Sequence, residues 1–374
     1  AFDISEKFDR PVIVRITTRV AHSQGIVNLE EKQNIPLKDF VRDPKKYVMI
    51  PAHARPRHVF IEEQIIKLKE YSTTSGLNFI EWKNKKRGII ANGVAYQYVK
   101  EVCSEDSILK IGMVWPLPDD LIKEFASQVE ELYVVEELDP FIEDYVKSLG
   151  FKVKGKEIIP LCGELTPEIV DKALNGKNIE SPLPAYQGVI PPRPPKLCAG
   201  CPHGFVFNIL KKLDLVVNGD IGCYTLGVLP PYSAMHSQGC MGASIGMHLG
   251  FEKARGDEMA RNSVAVIGDS TFIHSGITPL IDLVYNKGTG TVIIMDNRAT
   301  AMTGHQENPA TGKTLMGEEN FELDLEMMAK ACGVKRVTVV DPRDAELLEK
   351  VIKEEVAAKE PSVIITKRKC ILKK

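Results

Sequence analysis

The sequence predicts an α/β protein built from doubly wound parallel-sheet domains, and three observations predict it. Five runs in the C-terminal half, DLVVNGDIGC, SVAVIGDS, GTVIIMDN, RVTVVDP and SVIITKRKC, are continuously apolar, the pattern of strands covered on both faces. Helical stretches separate them, notably MGASIGMHLGFEKARG and GITPLIDLVYNKG. Several runs close on Gly, Asp or Asn, at the carboxyl strand ends where such sheets collect ligands.

Taken in order, the elements suggest unequal pieces. Residues 1–30 read as the back half of a helix, a compact β run PVIVRIT and a polar loop RVAHSQG, as if a domain were entered in its middle. Residues 31–85 hold a basic, proline-punctuated connection, PLKDFVRDPKKYVMIPAHARPRH, expected to be extended. A helix follows, with Phe60, Ile61, Ile65 and Leu68 as its apolar stripe. Residues 86–150 repeat strand, turn and helix, the rhythm of a small parallel α/β domain. Residues 151–195 read as a linker stiffened by SPLPAYQGVIPPRPP, and 196–374 as the main doubly wound domain.

The 374 residues are enough for two or three cores. At 44% apolar, 26% charged and net charge −2, the balance favours neither nucleic acid nor an anionic membrane. No apolar run is long enough to span a bilayer. Eight scattered cysteines are too few for a disulfide scaffold in this length, which points to a reducing cytoplasm.

Two strand ends carry the chemistry. Gly268, Asp269 and Ser270 follow SVAVI, and Asn297 follows GTVIIMD, with 26 residues between Ser270 and Asn297. A carboxylate, an amide oxygen and a backbone carbonyl suit a hard cation such as Mg2+, while the turn offers N–H groups to phosphate. Gly-Asp-Ser is also a common helix cap, so the first segment alone decides little. Cys198 and Cys201, in KLCAGCPHG, form a CxxC pair able to hold zinc, form a redox disulfide or start an iron–sulfur site. Cys223 follows DLVVNGDIG and Cys370 follows the last β run. Cys103, Cys162 and Cys332 read as core residues, and His53, His58 and His248 as structural.

The spacing from GDS to Asn297 resembles the thiamine-diphosphate signature, with Ser270 in place of the usual last glycine. The continuation AMTGHQ resembles the diphosphate-covering loop of 2-oxoacid:ferredoxin oxidoreductases, and DNRATAMTGHQ is most similar to their indolepyruvate branch. That resemblance implies that Asp269, Asn297 and the carbonyl of Ala299 ligate Mg2+. Gly222, Gly268, Ser270, Thr303 and Gly304 would contact the cofactor, and Cys240 would form part of its wall. It selects iron–sulfur for the thiols, so that Cys198, Cys201, Cys223 and Cys370 hold one [4Fe-4S] cluster. His203, His236 and His305 become candidate catalytic groups, each placed in a loop near the cofactor or the substrate entrance. His22 and Ser23 would face substrate.

The implied reaction is oxidative decarboxylation of arylpyruvates such as indolepyruvate, with coenzyme A taking the acyl group and ferredoxin the electrons. A smaller β subunit and a higher oligomer are the implied partners. The pattern also implies a pyrimidine-side domain ahead of Ala1 and a ferredoxin-like domain after Lys374. Rival readings are a pyruvate or 2-oxoglutarate enzyme, a thiamine decarboxylase or ligase with no cluster, and a non-catalytic assembly subunit.

Overall fold

The computed structural model describes residues 1–32, 34–37, 39–177, 188, 191 and 193–373. The chain divides into two compact units, Ala1–Gln187 and Gly188–Lys374. Among the described residues no helix is long and apolar enough to cross a membrane.

The first unit is built on strands β1 (Phe79–Glu81), β2 (Asn84–Asn92), β3 (Asp106–Ile111) and β4 (Glu131–Val135), in the spatial order β1-β3-β2-β4. β2, β3 and β4 are parallel, as the strand–helix rhythm requires. β1 adds an antiparallel edge on β3 that the sequence reading did not include. Neighbouring residues of β2 point to opposite faces. Ile89 and Ala91 join one core with Tyr96, Val99 and Ile108, whereas Ile90 joins another with Leu109, Phe125 and Ile142.

Four expectations for this unit are corrected. Pro11–Thr17 is not a strand: it pairs with no strand among the described residues, and Ile13 and Val14 are 91% and 70% exposed. Without a neighbouring strand its exposed backbone is left to water and no ladder forms. The loop RVAHSQG contains a short helix, Thr18–His22, capped by the Thr17 side chain. The basic connection is partly helical, over Pro44–Tyr47 and from Pro51 into the long helix Pro51–Thr74, because proline is well placed in a first helical turn. The stretch read as a linker carries a helix, Pro167–Asn175, opened by Thr166 and closed by Gly176 at φ +66°. Most of SPLPAYQGVIPPRPP lies outside the described residues.

In the second unit the five apolar runs form β5 (Val216–Gly219), β7 (Ser263–Gly268), β8 (Thr291–Asp296), β9 (Arg336–Val340) and β10 (Ser362–Lys367). A two-residue strand, β6 (Ser237–Gln238), joins them, and the order is β6-β5-β7-β8-β10-β9, parallel throughout. β7 and β8 are buried along their whole length. Val264, Val266, Ile293 and Met295 pack with Phe207 on one face; Ala265, Ile267, Val292 and Ile294 pack with Phe272 and Leu280 on the other. Strand order reverses between β5 and β7, which opens a crevice at their carboxyl ends.

Candidate cofactor site

Register brings the chemistry together. Gly268 of β7 lies opposite Met295 of β8, so Asp269 and Asp296 leave the sheet at one level and Asn297 follows. All three are buried. Asp269 Oδ1 accepts from Ser270 N–H at 2.7 Å, and its Oδ2 accepts from Ala299 N–H at 3.2 Å and Asn308 Nδ2 at 3.4 Å. The same Ala299 N–H donates to Asn297 Oδ1 at 3.2 Å. A carboxylate oxygen and an amide oxygen therefore converge on one donor. Burial, and then the charge of Asp296, push the Asp269 carboxyl up to about 7; burial pushes Asp296 up as well. Asp296 thus disfavours ionisation of its neighbour Asp269, a penalty that a divalent cation bound there would relieve.

His203 is not in a loop but in the first turn of the helix Pro202–Lys212. It is buried, and burial lowers its pKa to about 4, which leaves the ring neutral. Asn297 Nδ2 donates to its Nε2 at 3.2 Å. The contact turns the Asn297 amide so that Oδ1 faces Asp269, which makes His203 a positioning group in this geometry.

Beneath the site lies Tyr224, whose hydroxyl donates to Asp220 Oδ1. A Cβ on Gly222 would come within 2.2 Å of the Tyr224 ring, and one on Gly268 within 2.7 Å, so glycine at both places follows from that ring. Asp220, fully buried, also accepts from Gly242 N–H at 3.0 Å and Ser244 Oγ at 3.4 Å, which ties the β5 end to the helix Ala243–Arg255. Burial lifts its carboxyl to about 6. The helix after Gly268 opens on one α turn, Asp269–Thr271, then widens into a π turn over Phe272–Gly276.

One cavity joins these pieces. His203, Ile221–Tyr224, Met241, Gly268–Thr271, Met295, Asn297 and Ala299–Thr303 line it. Of the residues expected at the site, it therefore gathers His203, Gly222, Cys223, Gly268, Asp269, Ser270, Asn297, Ala299 and Thr303. Gly304, His305, His236 and Cys240 are not in its lining. His305 adopts φ +63° in the loop beyond. His236 is exposed and accepts the Val217 N–H on Nδ1 at 3.0 Å, a contact that holds β5 to β6. Cys240 is exposed, beside Met241. In the first unit, His22 Nδ1 bonds Thr18 O at 2.8 Å and Ser23 Oγ donates to Val20 O at 2.8 Å, so both serve their own short helix.

The four singled-out thiols share this strand-end region. Cys201 N–H donates to Cys198 O at 3.0 Å in a turn made possible by Gly200 at φ +76°. Cys370 N–H donates to Asn297 O at 2.8 Å, which brings the tail after β10 to the end of β8. Burial, then repulsion from Cys198 and Cys223, holds the Cys201 thiol up at about 11. Burial, Cys370 and Cys198 raise Cys223. Among the described residues, no three His, Cys, Asp or Glu side chains stand close enough to hold one metal ion together. Cys103 and Cys332 are buried, as core residues should be, but Cys162 is exposed in the turn before Gly163 at φ +91°. Asp220, Tyr224, Asp296 and Asn308 were not singled out from sequence. Asp220, inside GDIGC, and Asp296, inside GTVIIMDN, stood where a strand-end reading could have found them.

The family profile described as thiamine pyrophosphate enzyme, C-terminal TPP binding domain, matches residues 220–366. The chain is 37% identical over 413 residues to the indolepyruvate oxidoreductase subunit IorA of Pyrococcus horikoshii, covering 100% of this chain and 64% of that protein. It is 38% identical over 415 residues to the subunit of that name from Thermococcus kodakarensis, with 100% and 64% covered, and 36% identical over 398 residues to that of Archaeoglobus fulgidus, with 99% and 63% covered. The chain thus spans a little under two thirds of the length of these curated relatives. Among solved structures, a 2-oxoglutarate:ferredoxin oxidoreductase from Magnetococcus marinus aligns with TM-score 0.42 and 16% identity over 48% of this chain and 65% of that one.

Proposed function

This chain belongs to the 2-oxoacid:ferredoxin oxidoreductase family, its C-terminal unit carrying the thiamine-diphosphate-binding domain, and from that membership we propose that it serves the oxidative decarboxylation of arylpyruvates such as indolepyruvate. The balanced reaction takes a 2-oxoacid anion and coenzyme A to acyl-CoA, carbon dioxide and one proton, with two electrons passed one at a time to oxidised ferredoxin. Bound thiamine diphosphate supplies a nucleophilic carbon and an electron sink for loss of carbon dioxide. This chain's residues supply placement. Asp269, Asn297 and the Ala299 carbonyl would hold Mg2+, and the Gly268–Thr271 turn with the 300–304 loop would receive the diphosphate. Neutral His203 keeps the Asn297 amide oxygen turned to the cation.

The observation that carries this reading is the convergence of Asp269 Oδ2 and Asn297 Oδ1 in a cavity that Cys223 also lines. Cys198, Cys201, Cys223 and Cys370 would hold a [4Fe-4S] cluster. What supports that set is nearness: Cys198 and Cys223 both act on Cys201, and Cys370 and Cys198 both act on Cys223. In the whole protein, residues 1–30 would close a pyrimidine-side domain, 86–150 would form a small α/β domain, 196–374 would form the thiamine domain, and a smaller β subunit would complete a cytoplasmic oligomer. The lack of a single-ion thiol group favours one second reading, a thiamine decarboxylase without a cluster.

Calorimetry of thiamine diphosphate with and without Mg2+, then iron, sulfide and EPR on protein purified without oxygen, separates the two. Mg2+-dependent binding with about four irons per chain is the expected result. Binding without iron after reconstitution would select the clusterless enzyme, and no binding would end the thiamine reading. Indolepyruvate turnover with the β subunit present then tests the substrate.

A further inference from the structure

Beyond β10 the chain turns back across the end of β8. Arg368 N–H donates to Asp296 O at 2.9 Å and Cys370 N–H to Asn297 O at 2.8 Å. A turn closed by Lys373 N–H on Cys370 O at 3.1 Å then delivers Lys373 Nζ to two acceptors, Arg298 O at 3.0 Å and Glu307 Oε2 at 2.6 Å. Those acceptors stand at the two ends of one loop. Within it, Thr300 N–H donates to Gln306 O at 3.0 Å and Gln306 Nε2 to Thr303 O at 2.8 Å. Thr300–Thr303 line the cavity. The Lys373 and Glu307 side chains are only 16% and 20% exposed, so this charge-assisted contact is shielded in a way that an ordinary surface pair is not.

We propose that Lys373 is a positioning residue: it staples together the two ends of the 298–307 loop and, through the Cys370–Lys373 turn, fastens that loop to the strand end that bears Asn297. What the loop closes over rests on the thiamine reading, but the staple itself does not. The single lysine would set the mouth of the cavity and the place of Cys370 together.

The test is amide hydrogen exchange on the ligand-free protein, followed by calorimetry with thiamine diphosphate and Mg2+. In Lys373→Met, exchange over 298–307 should rise about tenfold while β7 and β8 keep their protection, and the cofactor should bind about tenfold more weakly. Lys373→Arg should retain most of both. Glu307→Gln, which removes the charge but keeps an acceptor, should shift both in the Met variant's direction by less, and it serves if Lys373→Met does not fold. Unchanged loop exchange in Lys373→Met and Glu307→Gln would overturn the proposal, as would a uniform rise across the unit. Should the parent protein bind no thiamine diphosphate, the functional reading fails while the exchange data still judge the staple.

Discussion

Both units bury an acid just past a parallel strand, and the two acids are treated differently. In the first unit Glu136 follows β4 and accepts Ile142 N–H at 2.9 Å and Glu143 N–H at 2.9 Å, at the start of the helix Phe141–Ser148. Burial and the nearby Glu143 carboxylate raise its pKa, while those two donors and Lys156 oppose the rise, and Glu143 is itself paired with Lys147 at 2.6 Å. In the second unit Asp269 also has backbone donors, but a second buried carboxylate, Asp296, pushes its pKa further up. One acid is a finished piece of structure. The other lines a cavity beside a second acid whose own partner, Arg298, stands 3.7 Å away, an arrangement that a divalent cation would suit.

The sharpest way to break that contrast is to remove each acid. Asp269→Ala should weaken Mg2+-dependent thiamine-diphosphate binding by about a hundredfold or more, because the proposed metal ligand goes, while the fold survives. Glu136→Ala should do the reverse, costing about 1–3 kcal/mol of stability by orphaning two buried N–H groups while binding stays unchanged. Calorimetry and thermal melts on both variants decide it. Equal binding in Asp269→Ala and the parent would sink the cofactor assignment.

Thiols repeat the comparison. Cys103 in the first unit is buried and has protein donors, Arg87 Nη2 at 3.7 Å and Asn175 Nδ2 at 3.8 Å. Burial lifts it to about 11, and Arg87 counters that. Cys223 has other thiols for neighbours. Cys223→Ala should strip most iron from anaerobically prepared protein, whereas Cys103→Ala should leave the iron content as it was. Loss of iron in both, or in neither, would erase the distinction.

A subtler effect follows from the acid pair's titration. The folded pKa of Asp269 lies above its unfolded value, so the folded state binds more protons and stability falls as pH rises from about 4 to about 7. Asp220, raised to about 6, acts in the same sense. His203 and His248, lowered to about 4, act oppositely, since the unfolded state then binds more protons up to about pH 6.5. The difference between parent and Asp296→Asn reports the pair's repulsion less the attraction to Arg298 and Lys367 that Asp296 also gives up. Asparagine keeps an oxygen for the Arg298 N–H that Asp296 Oδ1 accepts at 3.0 Å. The variant should gain on the order of 1 kcal/mol at pH 8 without Mg2+, less at pH 4, and little when Mg2+ and thiamine diphosphate are bound. Melting curves at the two pH values check the sign.

The strands of the second unit were legible because strands covered on both faces must be apolar throughout, and β7 and β8 are. The Asp269–Asn297 pairing was legible because spacing along two such strands survives folding. Pro11–Thr17 misled because β-type composition says nothing about whether a partner strand exists. Pro51 and Pro56 misled because proline reads as a breaker, although Pro51 opens the long helix and Pro56 sits inside it. The roles of Asp296 and Lys373 were hidden for another reason. They depend on which strand lies beside which, and on a tail meeting a loop 66 residues away.

The smallest expected effect concerns Ser270, which stands where the thiamine signature usually has glycine. Its hydroxyl accepts from Thr300 Oγ1 at 2.9 Å, a side-chain bond between the β7 turn and the cofactor loop that glycine cannot make. Its backbone N–H, given to Asp269 Oδ1, would survive the change. Ser270→Gly should therefore weaken thiamine-diphosphate binding only through loop order, by about threefold to tenfold, in keeping with one lost neutral hydrogen bond. Thr300→Val should match it, and the double variant should be no worse than either single, because both remove the same contact. Additive losses in calorimetry would mean that Ser270 touches the diphosphate itself, and the serine would then belong with Asp269 among the proposed ligand-contacting groups.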